Sequence, residues 1–123
     1  MTTVIYELPS LDQAMFGDLR ADLGDDSIES LAAMFAGRSA QLEQIVEASR
    51  LRQGARLARL AHSLRGGAAM LGASRLTVLA QQLEDRGLAN SLVGAESLAA
   101  EATAEFDRAV AEMSAVLEGD RVA

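Results

Sequence analysis

The sequence contains no cysteine and only one proline, Pro9. Without cysteine there is no disulfide framework, thiolate nucleophile or thiolate metal site, which excludes a small secreted fold that depends on disulfides. Downstream of Pro9 no residue forces a break in a helix, so the glycines must supply most of the turns. Aromatic residues are also scarce, and half of the residues are apolar, mostly the helix formers alanine and leucine. The composition therefore predicts an all-α protein with long helices and short connections.

Targeting and membrane-spanning segments are missing as well. Residues Met1 to Pro9 contain neither a basic segment nor a long apolar run, so they do not form a signal peptide. No stretch approaches the roughly 20 unbroken apolar residues that a membrane span needs. We therefore expect a cytoplasmic protein that does not contact a membrane.

Lysine is absent, and the formal net charge is −7, which argues against nucleic acid or an anionic membrane as the main partner. The charge is unevenly distributed. Residues 48–83 contain no Asp or Glu and carry +6, whereas the rest of the chain carries −13. Two interpretations remain open, ordinary solvated charge or a positive field that attracts an anion or an acidic partner. The arginines of the acid-free segment are Arg50, Arg52, Arg56, Arg59, Arg65 and Arg75.

The length of 123 residues allows one domain with a core but hardly two. We predict an N-terminal extension over residues 1–9, a single domain over 10–119 and a C-terminal tail over 120–123. Capping-box patterns, apolar spacing and glycines delimit the helices. They predict a short helix from Ser10 to about Arg20, a long one from Asp26 to about Ser49, and helices from near Gly54 to Leu71, from Ser74 to about Leu88 and from Gly94 to Gly119.

Four long amphipathic helices joined by short turns bury their apolar faces as a bundle. The predicted architecture is an up-down-up-down antiparallel four-helix bundle, with the short additional N-terminal helix at one end. Coiled-coil rods are the alternative architecture, but turns interrupted by glycine argue against continuous heptads.

The only histidine of the chain, His62, lies on the third predicted helix, from near Gly54 to Leu71. Successive residues of an α-helix are rotated by about 100° around the helix axis. Measured from Leu57, the other apolar residues of this helix lie within about 40°, whereas His62 lies at about 140°. The alternative for a lone histidine is a partly buried polar residue in the core. The angular position instead predicts that His62 points to solvent.

Small residues surround His62 on the outer face, where long charged side chains are usual. We interpret Ala58, Arg59, Gly66 and Ala69 as a docking face that lets another protein approach the imidazole closely. Glycine within a helix costs about 0.5–1 kcal/mol relative to alanine. Close approach of a partner explains Gly66, whereas tight contact between helices explains Gly67 better.

An exposed imidazole is largely neutral at pH 7 and has a nucleophilic nitrogen without a general base. Arg65, one turn along the helix, can bring a guanidinium near phosphoryl oxygens. The chain has no P-loop or other recognisable nucleotide-binding motif, and no second His or Cys for a metal site or protease triad. His62 can thus carry a phosphoryl group, but nothing recognisable in the sequence generates one from ATP.

The segment from Ala61 to Leu83-Glu84 resembles the signature of the histidine-containing phosphotransfer (HPt) family, AHxLKGxxxxLG followed by leucines and a terminal Leu-Glu or Leu-Gln. Helix number and order extend the resemblance from about Phe16 to Leu117. It implies that His62 is phosphorylated, that Gly66 makes room for a receiver domain, and that Arg65 replaces the usual lysine. It also implies that Glu84 lies near the imidazole and orients it through its other ring nitrogen.

The resemblance further implies a phosphorelay intermediate without autokinase activity, whose partners are response-regulator receiver domains and a hybrid histidine kinase. No cofactor is expected on this chain, because the divalent metal ion (Mg²⁺) belongs to the partner receiver. Two alternatives remain: an adaptor that binds a receiver or kinase without being phosphorylated, and the phosphoacceptor domain of a chemotaxis-type kinase. A small bundle without an obvious exposed apolar seam is expected to be a monomer.

Overall fold

The computed structural model describes the backbone of residues 5–122 and the side chains of residues 5–119. This part of the chain contains no strand, which agrees with the predicted all-α class. A short 3-10 helix at Ile5–Glu7 comes first. The α-helices that follow are α1 (Gln13–Leu23), α2 (Asp25–Ala36), α3 (Ser39–Arg50), α4 (Gly54–Leu71), α5 (Ser74–Ala89) and α6 (Ala95–Val122).

The central turns lie close to where the sequence predicts them. Helix α4 ends at Gly72, which adopts a left-handed conformation with φ of 85°, a conformation that glycine adopts without steric cost. Helix α5 begins at Ser74, but Ala73 occupies the N-cap position and no side chain caps the helix. Ser74 is therefore not the predicted cap, although the boundary itself is correct.

Three other predicted boundaries are wrong. The first helix does not begin with a capping box at Ser10, because the Asp12 side chain accepts a hydrogen bond from the backbone N–H of Met15 at 3.0 Å. Helix α2 begins after Gly24 without any side-chain cap, so the predicted box at Asp26 does not form. The last helix continues past Gly119 to Val122. The residues at which these helices begin and end therefore depend on backbone and tertiary contacts as well as on local capping motifs, and the sequence pattern does not reveal those contacts.

The predicted long helix over 26–49 is in fact two helices, α2 and α3, separated by a turn at Gly37 and Arg38. The backbone N–H of Arg38 donates to the carbonyl of Phe35, and its guanidinium reaches α4, where it donates to the carbonyl oxygen of Ser63 at 3.3 Å. Both turn residues have nearly helical dihedral angles. Because the apolar spacing hardly changes across such a turn, the sequence pattern continues through it and conceals the break.

Helices α3 to α6 each contact the next one along the chain, and α6 also contacts α3. Helices α1 and α2 pack against each other and against α4, and α2 also contacts α6. The rings of Phe35 and Phe106 lie 5.2 Å apart between α2 and α6. Burial of a large apolar side chain stabilises a fold by about 1.5–3 kcal/mol. Fully buried members of the core include Phe16, Ile28, Ile45, Leu57, Leu64, Leu76 and Leu83.

One arginine of the acid-free segment, Arg75, binds the N-terminal segment to the bundle. Its side chain donates to the carbonyl of Leu8 at 2.8 Å and to the hydroxyl of Ser10 at 3.3 Å. It also forms an ion pair with Glu105, whose side chain is fully buried. The acid-free segment is therefore not a uniform positive field for a partner, since Arg75 serves the fold. In the part of the chain that the structure describes, no helix has the length and apolar character needed to cross a membrane.

Candidate functional site

His62 lies midway along α4 and points away from the core. Its side chain is 65% exposed, whereas Leu57, Ala61 and Leu64 on the opposite side of the same helix are fully buried. The angular calculation from the sequence thus places the imidazole correctly. An exposed imidazole at the middle of a long, well-packed helix is both accessible and held in a fixed position.

A glutamate from the next helix contacts the ring. The Glu84 carboxylate on α5 has one oxygen, Oε2, 2.8 Å from Nδ1 of His62, and the other, Oε1, accepts a hydrogen bond from Nε of Arg65 at 2.9 Å. One guanidinium nitrogen of Arg65, Nη2, lies 3.0 Å from the same Nδ1. The Glu84 side chain is only 12% exposed, so its carboxylate is largely shielded from water, whereas the imidazole that it contacts is 65% exposed. The structure therefore brings His62 together with Arg65 and Glu84, the two residues that are expected beside its imidazole.

The position of Glu84 favours one tautomer of the His62 imidazole over the other. Nδ1 can donate to Glu84 or accept from Arg65, but a neutral imidazole nitrogen cannot do both. If Nδ1 lacked its proton, its lone pair would face an anionic carboxylate oxygen at 2.8 Å, which is repulsive. The favoured arrangement has Nδ1 donating to Glu84, and it leaves the lone pair on Nε2 free.

The pKa of Glu84 reflects these contacts. Burial raises the pKa of this carboxyl, but the hydrogen bonds from His62 and Arg65 and the charge of Arg65 outweigh burial and leave the pKa below its ordinary value. The ionised form is therefore the one that the folded protein favours at neutral pH.

We expect the Glu84 side-chain carboxyl carbon, followed by NMR, to titrate at a lower pH in the folded protein than in the urea-unfolded chain. Because the folded-state pKa is lowered, the stabilisation from Glu84 is complete above the ordinary glutamate pKa and is lost as the pH falls through the lowered value. Equal titration midpoints in the two states would contradict the hydrogen-bonded geometry.

A close crossing of α4 and α5 brings Glu84 within reach of His62. A side-chain carbon added to Gly87 would lie 2.6 Å from the carbonyl oxygen of Gly54 and 2.7 Å from the backbone nitrogen of Ala58. Only glycine at position 87 permits this distance between the helices. Gly54 is the first residue of α4, as the predicted turn requires, whereas Gly87 lies inside α5, and nothing in the local sequence reveals that the two glycines face each other.

An open groove lies beside His62 between α4 and α5. His62, Glu84 and Arg59 line it together with Ala55, from the same outer face of α4, and Leu88, which the sequence analysis missed. Leu88 is 72% exposed, so a large apolar side chain borders the groove. The groove thus combines an apolar wall with the exposed imidazole.

The predicted docking face requires one correction. Ala58 is only 5% exposed, because the crossing with α5 covers it, so it forms the floor of the groove and not part of an open surface. Arg59 and Ala69 are exposed as predicted.

The adjacent glycines Gly66 and Gly67 have different surroundings. Gly66 is exposed, and a side-chain carbon built there would meet nothing within 4 Å. A carbon built on buried Gly67 would lie 3.1 Å from the guanidinium carbon of Arg38. Gly67 thus permits an internal contact, whereas Gly66 leaves the surface beside His62 open.

Metal ligands do not cluster in the described residues, since no group of three His, Asp or Glu side chains there could hold an ion. The site is defined instead by a single exposed imidazole with a partly buried ion pair behind it. This arrangement leaves a nucleophilic nitrogen accessible on the surface of a helical protein.

Comparison with known proteins identifies the family. The sequence model of the Hpt domain family matches residues 14–116, and the chain therefore belongs to this family. In fold it is similar to the crystal structure of histidine-containing phosphotransfer protein B (HptB) from Pseudomonas aeruginosa PAO1, with a TM-score of 0.82 and 23% sequence identity. The alignment covers 89% of this chain and 96% of that chain. No curated protein sequence gives a significant match.

Proposed function

We propose that this protein is a phosphorelay intermediate that accepts a phosphoryl group from a receiver-domain aspartate on His62 and passes it to another receiver aspartate. The observation that carries the proposal is the exposed imidazole whose Nδ1 is held by Glu84 at 2.8 Å. Membership of the Hpt domain family supports it.

The geometry suggests how the transfer proceeds. The free Nε2 of His62 attacks the phosphorus of an aspartyl phosphate, a new N–P bond forms, and the O–P bond to the aspartate breaks to release a carboxylate. The proton on Nδ1 stays in place throughout. The positive charge that develops on the ring lies beside the anionic Glu84, which stabilises it. Transfer to the second receiver reverses these steps.

The surface around His62 fits a receiver domain as the partner. The groove wall formed by Ala55 and Leu88 is apolar, and Arg59 places a positive charge beside it. Opposite charges across an interface speed association and orient the partners. We expect the receiver to supply the divalent metal ion, Mg²⁺, and a hybrid histidine kinase to supply the phosphoryl group through its own receiver domain.

The arrangement of the helices completes the proposal. We propose that α3 to α6 form an up-down-up-down four-helix bundle, because each contacts its neighbour in sequence and α6 contacts α3. In such a bundle the exposed face of α4 extends along one side, where a partner can reach the imidazole.

The test is to incubate the purified chain with receiver domains charged with acetyl phosphate and then measure acid-labile phosphate on the chain. We expect the label to appear on this protein and to pass onward when an uncharged receiver is added. A second incubation with ATP alone should give no label, which tests the expected lack of autokinase activity. Stable binding of receivers without any phosphate on the chain would instead support the adaptor function.

Gly66→Gln should leave a folded protein but block transfer, because a long side chain would occupy the open surface beside His62. Helix propensity predicts unchanged or slightly higher stability, since glycine is the poorer helix former. Gly17→Gln on α1 is the matched control, because Gly17 is also an exposed helical glycine with nothing within 4 Å of an added carbon. The measurement is the transfer rate of both variants. Wild-type transfer by Gly66→Gln would exclude close approach at this position.

A further inference from the structure

Helix α4 carries three arginines, and two of them already have an acidic partner. Arg56 forms an ion pair with Glu47 at 2.8 Å, and Arg65 forms one with Glu84 at 2.9 Å. The third, Arg59, is exposed, and its side chain forms no ion pair or hydrogen bond within the residues that the structure describes. Arg59 is therefore the arginine of this helix whose guanidinium is free to bind a group that arrives from outside.

Arg59 lies one helical turn before His62 on the outer face of α4. Side chains at this spacing have Cβ atoms about 5–6 Å apart, and opposite charges placed there attract each other. The Cα–Cβ bonds of a helix tilt toward its N-terminus, so the imidazole leans over the turn that carries Arg59. Both side chains line the groove between α4 and α5, as this direction requires. The guanidinium can thus reach a group that is bound to Nε2 of the imidazole.

We propose that Arg59 binds the phosphoryl group once it is attached to His62, with its guanidinium donating hydrogen bonds to the phosphoryl oxygens. The inference rests on the proposed function. No covalent bond forms or breaks in this contact, which stabilises the phosphorylated form of the chain. A guanidinium presents its N–H donors in a planar fork that matches phosphoryl oxygens, and hydrogen bonds between charged groups are among the strong ones in proteins.

Arg65 is the residue that the sequence pattern predicts for this contact, but its surroundings argue against it. Its Nε donates to Oε1 of Glu84, and its Nη2 lies beside Nδ1 of the imidazole, whereas transfer uses Nε2. To bind the phosphoryl oxygens, Arg65 would have to leave a carboxylate that is only 12% exposed. Removing the partner of a largely buried charge is costly. Arg59 breaks no contact, and it is the only arginine among the residues that line the groove.

The experiment follows the phosphoryl group by ³¹P NMR as a function of pH, on protein whose His62 has been phosphorylated chemically with potassium phosphoramidate. A cation beside the phosphoryl oxygens favours the dianion and therefore lowers the pKa of the last phosphoryl ionisation. In Arg59→Met this pKa should rise, with a decrease of about fivefold in the ionisation constant, the upper range for an exposed ion pair. Arg59→Lys should retain most of the wild-type value, because the charge remains.

Arg56→Met is the matched control, because it removes the same charge from the same helix. Arg56 lies about 9 Å from His62 along the helix axis, and exposed charges more than about 8 Å apart are largely screened at physiological ionic strength. Its guanidinium is also bound to Glu47. We therefore expect the ionisation constant in Arg56→Met to stay close to that of wild type. Circular dichroism of each variant verifies that the helices are retained.

Three results would overturn the proposal. The first is a wild-type ionisation constant in Arg59→Met, and the second is a decrease no larger than that in Arg56→Met, which would indicate only a general positive field. The third is a larger decrease in Arg65→Met than in Arg59→Met, which would assign the phosphoryl contact to Arg65. Because phosphoramidate replaces the receiver, failure of charged receivers to label the chain would refute the proposed function and leave this measurement intact.

Discussion

His62→Gln should abolish the acid-labile phosphate that the wild-type protein acquires from charged receiver domains. His62 is the only histidine of the chain, so no second imidazole can substitute. A glutamine amide has no nucleophilic nitrogen comparable to that of a neutral imidazole. The expected loss is therefore complete within the sensitivity of the assay.

The fold should tolerate this change, because the side chain is 65% exposed and lies outside the core. Substitutions at such positions usually change stability by no more than about 0.5 kcal/mol. Urea unfolding verifies this, and receiver binding measured in parallel separates loss of chemistry from loss of docking. Acid-labile phosphate retained on the variant would place the phosphoryl site elsewhere.

Gly87→Ala should have the largest effect on the fold and the site together. The added carbon would lie 2.6 Å from the carbonyl oxygen of Gly54, and backbone atoms cannot move aside as a flexible side chain can. Helices α4 and α5 must separate. Overpacking of this kind costs about 1–3 kcal/mol, from which the better helix propensity of alanine regains up to about 1 kcal/mol. We expect a net loss of about 1–2 kcal/mol in the free energy of unfolding.

The same substitution should reduce phosphotransfer in protein that remains folded, because Glu84 lies one helical turn before Gly87 and would move away from His62. For the change in stability, Gly66→Ala is the matched control. It places the same carbon on an exposed helical glycine with nothing within 4 Å and should raise the free energy of unfolding by about 0.5–1 kcal/mol. Equal stability changes for the two variants would show that the helix crossing is not tight.

The sequence by itself determined those properties that depend on short-range periodicity. The spacing of apolar residues on the helix that carries His62 places the imidazole opposite the core, and Gly72 marks the end of that helix. A continuous helix has a fixed angle per residue, so the direction of a side chain follows from counting. The resemblance to the family likewise rests on a short continuous segment around His62, so it could be identified from the sequence.

Only the tertiary structure decided which residues from different helices meet. The apolar spacing does not reveal the break at Arg38, because a single turn with nearly helical dihedral angles keeps the apolar residues on the same face. Ala58 is buried because α5 packs over it. The contact of Glu84 with Nδ1 depends on the distance between α4 and α5, which Gly87 sets from within its own helix. The position of Arg65 follows from that contact. Such distances depend on packing between helices, and the period of one helix contains no information about the helix it will face.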